Sequence, residues 1–331
     1  MHWVTVYGRK SLHFLGGEFS FLFTALAITL AGYAALYLFA SSNSGPRSLR
    51  GFARYLFPYE IFRHSRIDFF VFVIAKVVWA PVIAKLLAFL AFEATALRLL
   101  NALFGNRVLT ATNSWAMLLA QFLVFYLASS FAYYWAHRAM HQNRFLWSVH
   151  RVHHSAEMLT FLTGSRAHPL DPVLVGIWGT FLLGVATATL SYCTGVAMHP
   201  LFLTVAYCWL IIIEVVDKFQ HSHVSTSLGL LNYIVPLGDM HQIHHSAELK
   251  HRDKNFGNVS LLFDWMFGTL YIPQPGETVR LGLNDQELGA QNPHSRLIDI
   301  YTEPFVYAWR ALKRKHSAED NQLALTSGPL S

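Results

Sequence analysis

Charge is scarce in this chain: Asp, Glu, Lys and Arg make up 13% of its 331 residues, about half of what a soluble domain carries. That excludes an ordinary water-soluble globule. Cysteine is nearly absent as well. Cys193 and Cys208 form no C-x-x-C pair, which excludes a cysteine-built metal site and a disulfide framework. There is no G-x-G-x-x-G turn and no H-E-x-x-H, so neither a dinucleotide-binding unit nor a zincin helix is encoded. The charge that does occur is lopsided, with a formal net charge of +6. The arginines sit beside apolar runs with no nucleic-acid recognition motif near them, so nucleic acid is not an expected partner and membrane topology explains the excess.

What is present is apolar. The sequence is 53% hydrophobic with mean hydropathy +0.34, and long apolar runs cover Glu18 to Ala40, Ile67 to Ala96, Trp115 to Ala136, Pro172 to Gly195 and Leu201 to Val216. A helix needs about 20 apolar residues to cross a hydrocarbon core, and the first, third and fourth runs meet that. The second carries Lys76, Pro81 and Lys85, which predicts a kink or a partly interfacial path. The fifth is short, and Pro200 is placed to begin a hairpin return. The expected fold is an all-α integral membrane helical bundle of about 4–5 segments. Arg9 and Lys10 before the first run could suggest a signal peptide cleaved near Ala40-Ser41-Ser42, but the run exceeds a typical h-region and reads as an uncleaved anchor.

Orientation follows from the basic residues. The 41–66 loop holds Arg47, Arg50, Arg54, Arg63 and Arg66 against Glu60, and the C-terminal segment adds Arg310, Lys313, Arg314 and Lys315. Positive loops stay inside, which puts both on the cytoplasmic side. The third helix then runs inward, and the fourth and fifth segments form a hairpin returning to the same face.

Thirteen of the eighteen histidines lie between 137 and 251. They cluster as His137-Arg-Ala-Met-His141, His150-Arg-Val-His153-His154 and His241-Gln-Ile-His244-His245. Residues at i, i+3 and i+4 share a helix face, and imidazole is the commonest metal ligand, so three such clusters can enclose more than one ion. The helix from about Asn113 to His141 is about 43 Å long at ~1.5 Å per residue, against a core of about 30 Å. His137 and His141 therefore emerge just above the hydrocarbon, with Tyr133, Tyr134 and Trp135 expected at headgroup level.

Phe131-Ala-Tyr-Tyr-Trp-Ala-His137-Arg-Ala-Met-His141, Trp147-Ser-Val-His150-Arg-Val-His153-His154-Ser, Arg166-Ala-His168-Pro169, Phe219-Gln-His221-Ser, Met240-His-Gln-Ile-His-His245-Ser and Asn255-Phe-Gly257 occur in this order across about 130 to 272. This set resembles the fatty acid hydroxylase/sterol desaturase superfamily. The resemblance implies a membrane-bound, non-haem di-iron oxygenase with a cytosol-facing histidine-rich site, two iron ions and O2 as co-substrate. It also implies a lipid substrate, such as an acyl chain, a sterol, an alkylglycerol or an aminolipid of the ornithine-lipid type. Carried over residue by residue, His137, His141, His150, His153, His154, His241, His244 and His245 match the metal-binding boxes, and His221 matches a further ligand. His168 is either a ligand, an orienting residue or a helix-start residue; His223 stands where relatives often have asparagine and reads as a surface or orienting residue, and Asp239 keeps a carboxylate able to orient an imidazole N–H. The chain departs from the family pattern at Ser130, where relatives commonly carry aspartate, and at Asp239, where they carry glutamate.

A di-iron core of this kind implies hydroxylation of a C–H bond, with desaturation the alternative outcome. The roughly 60 residues after Ile272 are too few and too polar for both a reductase and a haem domain, so the electrons are expected from a separate ferredoxin or reductase chain. A zinc hydrolase would keep a general-base glutamate, and a metal transporter would line its spans with ligands; neither pattern is present. The expected division is a membrane anchor region over 1–112, a catalytic domain over 113–275 and a cytoplasmic tail over 276–331, disordered from about Ser317. A bacterial inner membrane, with the site on its cytoplasmic face, is the expected location.

Overall fold

The computed structural model describes residues 2–39, 48–59, 66–224, 226, 229, 235–274, 276–284 and 291–326. Inside hydrocarbon there is no water for backbone N–H and C=O groups, and a helix satisfies them within one segment. The apolar runs accordingly fold as helices: α1 (His2–Phe39), α3 (Arg66–Ile74) continuing through a π-helical segment (Ala75–Trp79) into α4 (Ala80–Leu90), α5 (Phe92–Phe104), α6 (Trp115–Gln142), α8 (Leu170–Thr194) and α9 (Phe202–Gln220). Shorter helices are α2 (Leu49–Leu56), α7 (Arg144–His154), α10 (Gly238–His244) and α11 (Leu262–Met266), and the last is α12 (Leu297–Thr326). Among the described residues there is no strand, only isolated bridges at Thr110–Val196 and Ser246–Leu281.

Among the described residues, four stretches are long and apolar enough to cross a membrane: Ser20–Leu38, Arg66–Phe104, Trp115–Gln142 and Leu170–Thr194. The second is irregular at Lys76, as expected, and is broken again beyond the expected positions, at Ala91. Lys76 sits in the π-helical segment, and Ala91 adopts a left-handed conformation (φ 44°) between α4 and α5. α9 has 19 residues but carries Glu214, Asp217 and Lys218 in its last two turns, which keeps it out of the apolar set.

Side-chain contacts fix the helix directions. At one end of the bundle Gln121 of α6 bonds the backbone of Ala197 and His199, in the turn between α8 and α9. At the other, His137 of α6 meets His150, which bonds Asp171 at the start of α8. α6 and α8 are therefore antiparallel, and α9 returns alongside α6, with Phe202 against Phe125 and Trp209 against Phe122. α1 runs parallel to α9, through Phe21 on Tyr207 and Tyr33 on Phe219. The three histidine clusters thus share one end, as the hairpin reading requires. Gly195 (φ 69°) closes α8 in the left-handed region before that hairpin.

Two expectations need adjusting. Tyr134, expected at headgroup level, is fully buried in protein against Phe256 and Phe263, because the chain after α10 folds back over the end of α6. The last helix runs on to Thr326, taking in the start of the segment expected to be irregular. Of the loop arginines, Arg50, Arg54 and Arg66 are exposed; Arg47, Arg63 and Glu60 lie outside the described residues.

α5 and α8 pack against each other with Gly184 at the contact. A Cβ on Gly184 would lie 2.7 Å from the backbone nitrogen of Glu93 and 3.0 Å from the carbonyl carbon of Phe92. Small residues allow such backbone approach where lipid supplies no hydrophobic drive. Gly184→Leu is expected to destabilise the bundle by about 1–3 kcal/mol, read as a lower Tm in detergent. Gly179→Leu on the same helix, where a Cβ meets nothing within 4 Å, is the control and should leave Tm unchanged.

Candidate metal centre

Each cluster is aimed by local structure. His137 and His141 are one turn apart at the end of α6, and Asn143 then breaks the helix and caps the next, accepting from the backbone N–H of Phe145 and Leu146. That cap starts α7, whose final turns carry His150, His153 and His154 inward; all three are buried. His221 ends α9. His241 and His244 lie on α10, and His245 is its C-terminal cap.

The nine histidines form two groups. His137, His141, His150, His154 and His244 make the first, and His153, His221, His241 and His245 the second; within each group one nitrogen per ring lies within 4.8 Å of all the others. In the first, the Nε2 atoms of His137 and His150 are 3.0 Å apart and those of His150 and His154 3.2 Å. In the second, His221 Nε2 is 3.1 Å from His153 Nε2 and 2.9 Å from His241 Nε2, and His241 Nε2 is 3.1 Å from His245 Nε2.

The opposite ring nitrogens decide what these short contacts are. His137 Nδ1–H donates to the Phe256 carbonyl at 2.7 Å and His150 Nδ1–H to Asp171 Oδ2 at 2.7 Å. Both Nε2 atoms then carry bare lone pairs, pointed at each other. His221 is in the same state, its Nδ1–H donating to the Asp217 carbonyl at 2.9 Å. Burial first, and the neighbouring imidazoles second, hold His153, His154, His241, His244 and His245 well below the ordinary imidazole range, hence neutral. Facing lone pairs repel unless a cation lies between them. Two nitrogens each about 2.1 Å from one ion and at right angles sit about 3 Å apart, the spacing seen. The Nε2 atoms of His141 and His244 are buried with no hydrogen-bond partner among the described residues. The residues therefore fit two metal ions.

A loop supports the first group from outside. His244 Nδ1 bonds the Lys254 carbonyl at 2.8 Å, two residues from the Phe256 carbonyl that holds His137. Asp253 and Asn255 take positive φ (58° and 55°) to present these carbonyls. The Asn255 side chain braces the turn on Met240 and Tyr271, and Asp264 accepts from the backbone of Phe256 and Gly257. Thr269 links Asp264 to Tyr134 of α6. This explains the Asn255-Phe-Gly257 motif: it fixes two ligand tautomers. Trp147 and Phe256 pack on the rings of His141 at 5.1 Å and help close the group from water.

His168, His223 and Asp239 lie outside both groups. His168 Nδ1 accepts from Leu170 N at the start of α8, His223 Nε2 bonds the Tyr55 carbonyl, and Asp239 is in the first turn of α10. The Ser130 hydroxyl is buried with no hydrogen-bond partner among the described residues. Asp171 and Asp217, which orient His150 and His221, escaped the sequence reading. Asp217 had a signal, its i,i+4 spacing to His221 on one helix; Asp171 meets His150 only through tertiary packing.

The sequence profile of the fatty acid hydroxylase family matches residues 122–269. A very-long-chain aldehyde decarbonylase of Oryza sativa subsp. indica is 28% identical over 157 residues, 47% of this chain and 54% of its own length. Methylsterol monooxygenase 2-2 of Arabidopsis thaliana is 29% identical over 158 residues, covering 47% and 54%. Alkylglycerol monooxygenase of Homo sapiens is 28% identical over 144 residues, covering 44% and 29%. The chain thus spans about half the length, or less, of these relatives. No solved structure matches. The matched stretch contains all nine histidines of the two groups, so the similarity to the fatty acid hydroxylase family lies in the segment that builds this centre.

Proposed function

We propose that this protein is an O2-dependent, non-haem di-iron monooxygenase that hydroxylates a C–H bond of a membrane lipid. The observation that carries this is the pair of buried all-histidine groups at the end of an apolar helical bundle, with imidazole lone pairs converging in each. Iron in these groups would supply the activation of O2 needed to attack an unactivated C–H bond. The names of the Arabidopsis and human relatives, a methylsterol and an alkylglycerol monooxygenase, support lipid oxidation.

The chain's own residues prepare that chemistry. The Phe256 and Lys254 carbonyls and the Asp171 carboxylate hold His137, His244 and His150 with Nε2 free. Outer partners of this kind set ligand orientation and basicity. The spans end beside the groups, so a lipid can bring one carbon to the metals while its tails remain in the bilayer. The substrate class is an acyl chain, a sterol-like ring system or an aminolipid, and two electrons come from a separate ferredoxin or reductase chain. In this reading residues 113–275 form the catalytic domain, 1–112 anchor it, and 276–331 form a cytoplasmic tail. The arginines of the 41–66 loop support a site on the cytoplasmic face, which in a bacterium would be that of the inner membrane.

Purified protein should hold about two irons per chain. Because the groups are separate, His141→Ala or His245→Ala should each lower that toward about one and cut activity by at least about 10–100-fold, with membrane insertion unchanged. His2→Ala and His316→Ala are the controls. One tightly bound zinc would point to a hydrolase, and loosely exchangeable metal to a transporter.

Comparative lipid mass spectrometry of cells with and without the gene tests the reaction. A lipid heavier by one oxygen atom, labelled from isotopic O2, is expected; a lipid lighter by two hydrogens would show desaturation instead. Reporter fusions at Arg54 and after Lys313 should both read the cytoplasmic side, and opposite sides would overturn the proposed topology.

A further inference from the structure

The last two turns of α9 carry Glu214, Asp217 and Lys218, and the π-helical segment brings Lys76 to meet them. Lys76 Nζ is 2.8 Å from Glu214 Oε1, and the same oxygen is 3.0 Å from Lys218 Nζ. Lys218 Nζ is 2.7 Å from Asp217 Oδ2, and Asp217 Oδ1 is 3.1 Å from His221 Nδ1. Two ammonium and two carboxylate groups therefore form one continuous chain that ends on a histidine of the second metal group. Its net charge is zero.

The setting makes this chain costly to keep without a task. Lys76 lies ten residues past Arg66, where the span begins, or about 15 Å along the helix. Glu214 and Lys218 border a pocket otherwise walled by apolar side chains, among them Leu22, Leu26, Phe72 and Phe161. Ionisable groups inside spans are rare and mark functional positions, and π-helical turns recur at such positions.

The chain does more than orient His221. The Asp217 backbone carbonyl already accepts from His221 Nδ1, so the tautomer is held without the carboxylate. What the carboxylate adds is negative charge against the imidazole, which strengthens it as a donor to a bound cation. Lys218 holds that carboxylate and offsets its charge, Glu214 offsets Lys218, and Lys76 offsets Glu214.

We propose that Lys76, Glu214 and Lys218 are positioning residues, an intramembrane ion chain that holds the Asp217 carboxylate against His221 and sets the electron donation of the second metal group. This rests on the di-iron reading above. The test is a redox titration of the iron-loaded protein in detergent, followed by absorbance and electron paramagnetic resonance, with iron content measured in parallel. Lys76→Met leaves an uncompensated carboxylate and should shift the midpoint potential of one iron downward. Glu214→Gln leaves an uncompensated ammonium and should shift it upward. The double variant, neutral again, should return to the wild-type value, and all three should keep the iron content of the wild type. Opposite shifts that cancel are not expected of a merely structural pair. Asp217→Asn, which retains the backbone bond to His221, should shift the potential upward and serves if either single variant fails to insert. Both single variants at the wild-type potential, or an unshifted Asp217→Asn, would overturn the ion chain. Wild-type protein that takes up no iron would instead overturn the oxygenase reading.

Discussion

Nine imidazoles turned toward two common points are the constraint on which the rest of this structure depends. Each ring has been taken out of water, and several have one nitrogen occupied by a fixed acceptor, so the remaining lone pairs face one another at 2.9–3.2 Å. Without a cation this arrangement is repulsive and desolvated together. The protein around it therefore has to hold the rings against their own repulsion until metal arrives. Helices of the bundle do so from the membrane side, and the chain after α10 does so from above.

The two groups are held by different means. In the first, most outer acceptors are backbone carbonyls on one braced loop, Lys254 and Phe256, with the Asp171 carboxylate on His150 and the Asp253 carboxylate more distant, 3.9 Å from His141. A carbonyl fixes a tautomer but brings no full charge. In the second, His221 is backed by both a carbonyl and a carboxylate tied into other charges. The first group is thus set mainly by geometry, the second by geometry and charge. A histidine core without coordinating carboxylates also leaves bound iron strongly cationic, unlike the carboxylate-rich sites of ferritin-like bundles, so charge placed behind a ligand has an unusually large part in setting its donor strength.

Legibility followed from what local spacing can encode. His137 and His141, or His150, His153 and His154, share a helix face by their sequence separation alone, and the apolar runs betray the spans by length. Lys76 and Pro81 likewise announced the irregular second span. Sequence spacing could not divide the nine histidines into five and four, because His153 and His154 are adjacent yet belong to different groups. That division depends on how α7 lies between α6 and α9. The Asp171 contact and the burial of Tyr134 arise the same way, from chain segments far apart in sequence.

The position of the ions relative to the bilayer connects these features. α6 carries its ligands just past the apolar stretch, and α8 starts beside them at Asp171, so the groups sit where hydrocarbon gives way to protein. Below them the environment is apolar enough that the charges of α9 pair with one another and with Lys76 rather than with water. Above them, a folded loop supplies carbonyls and aromatic cover. In the proposed reading, a metal pair held between these layers would be reached by lipid from one side and shielded from bulk water on the other. That asymmetry would favour attack on a C–H bond over loss of oxidising equivalents to solvent.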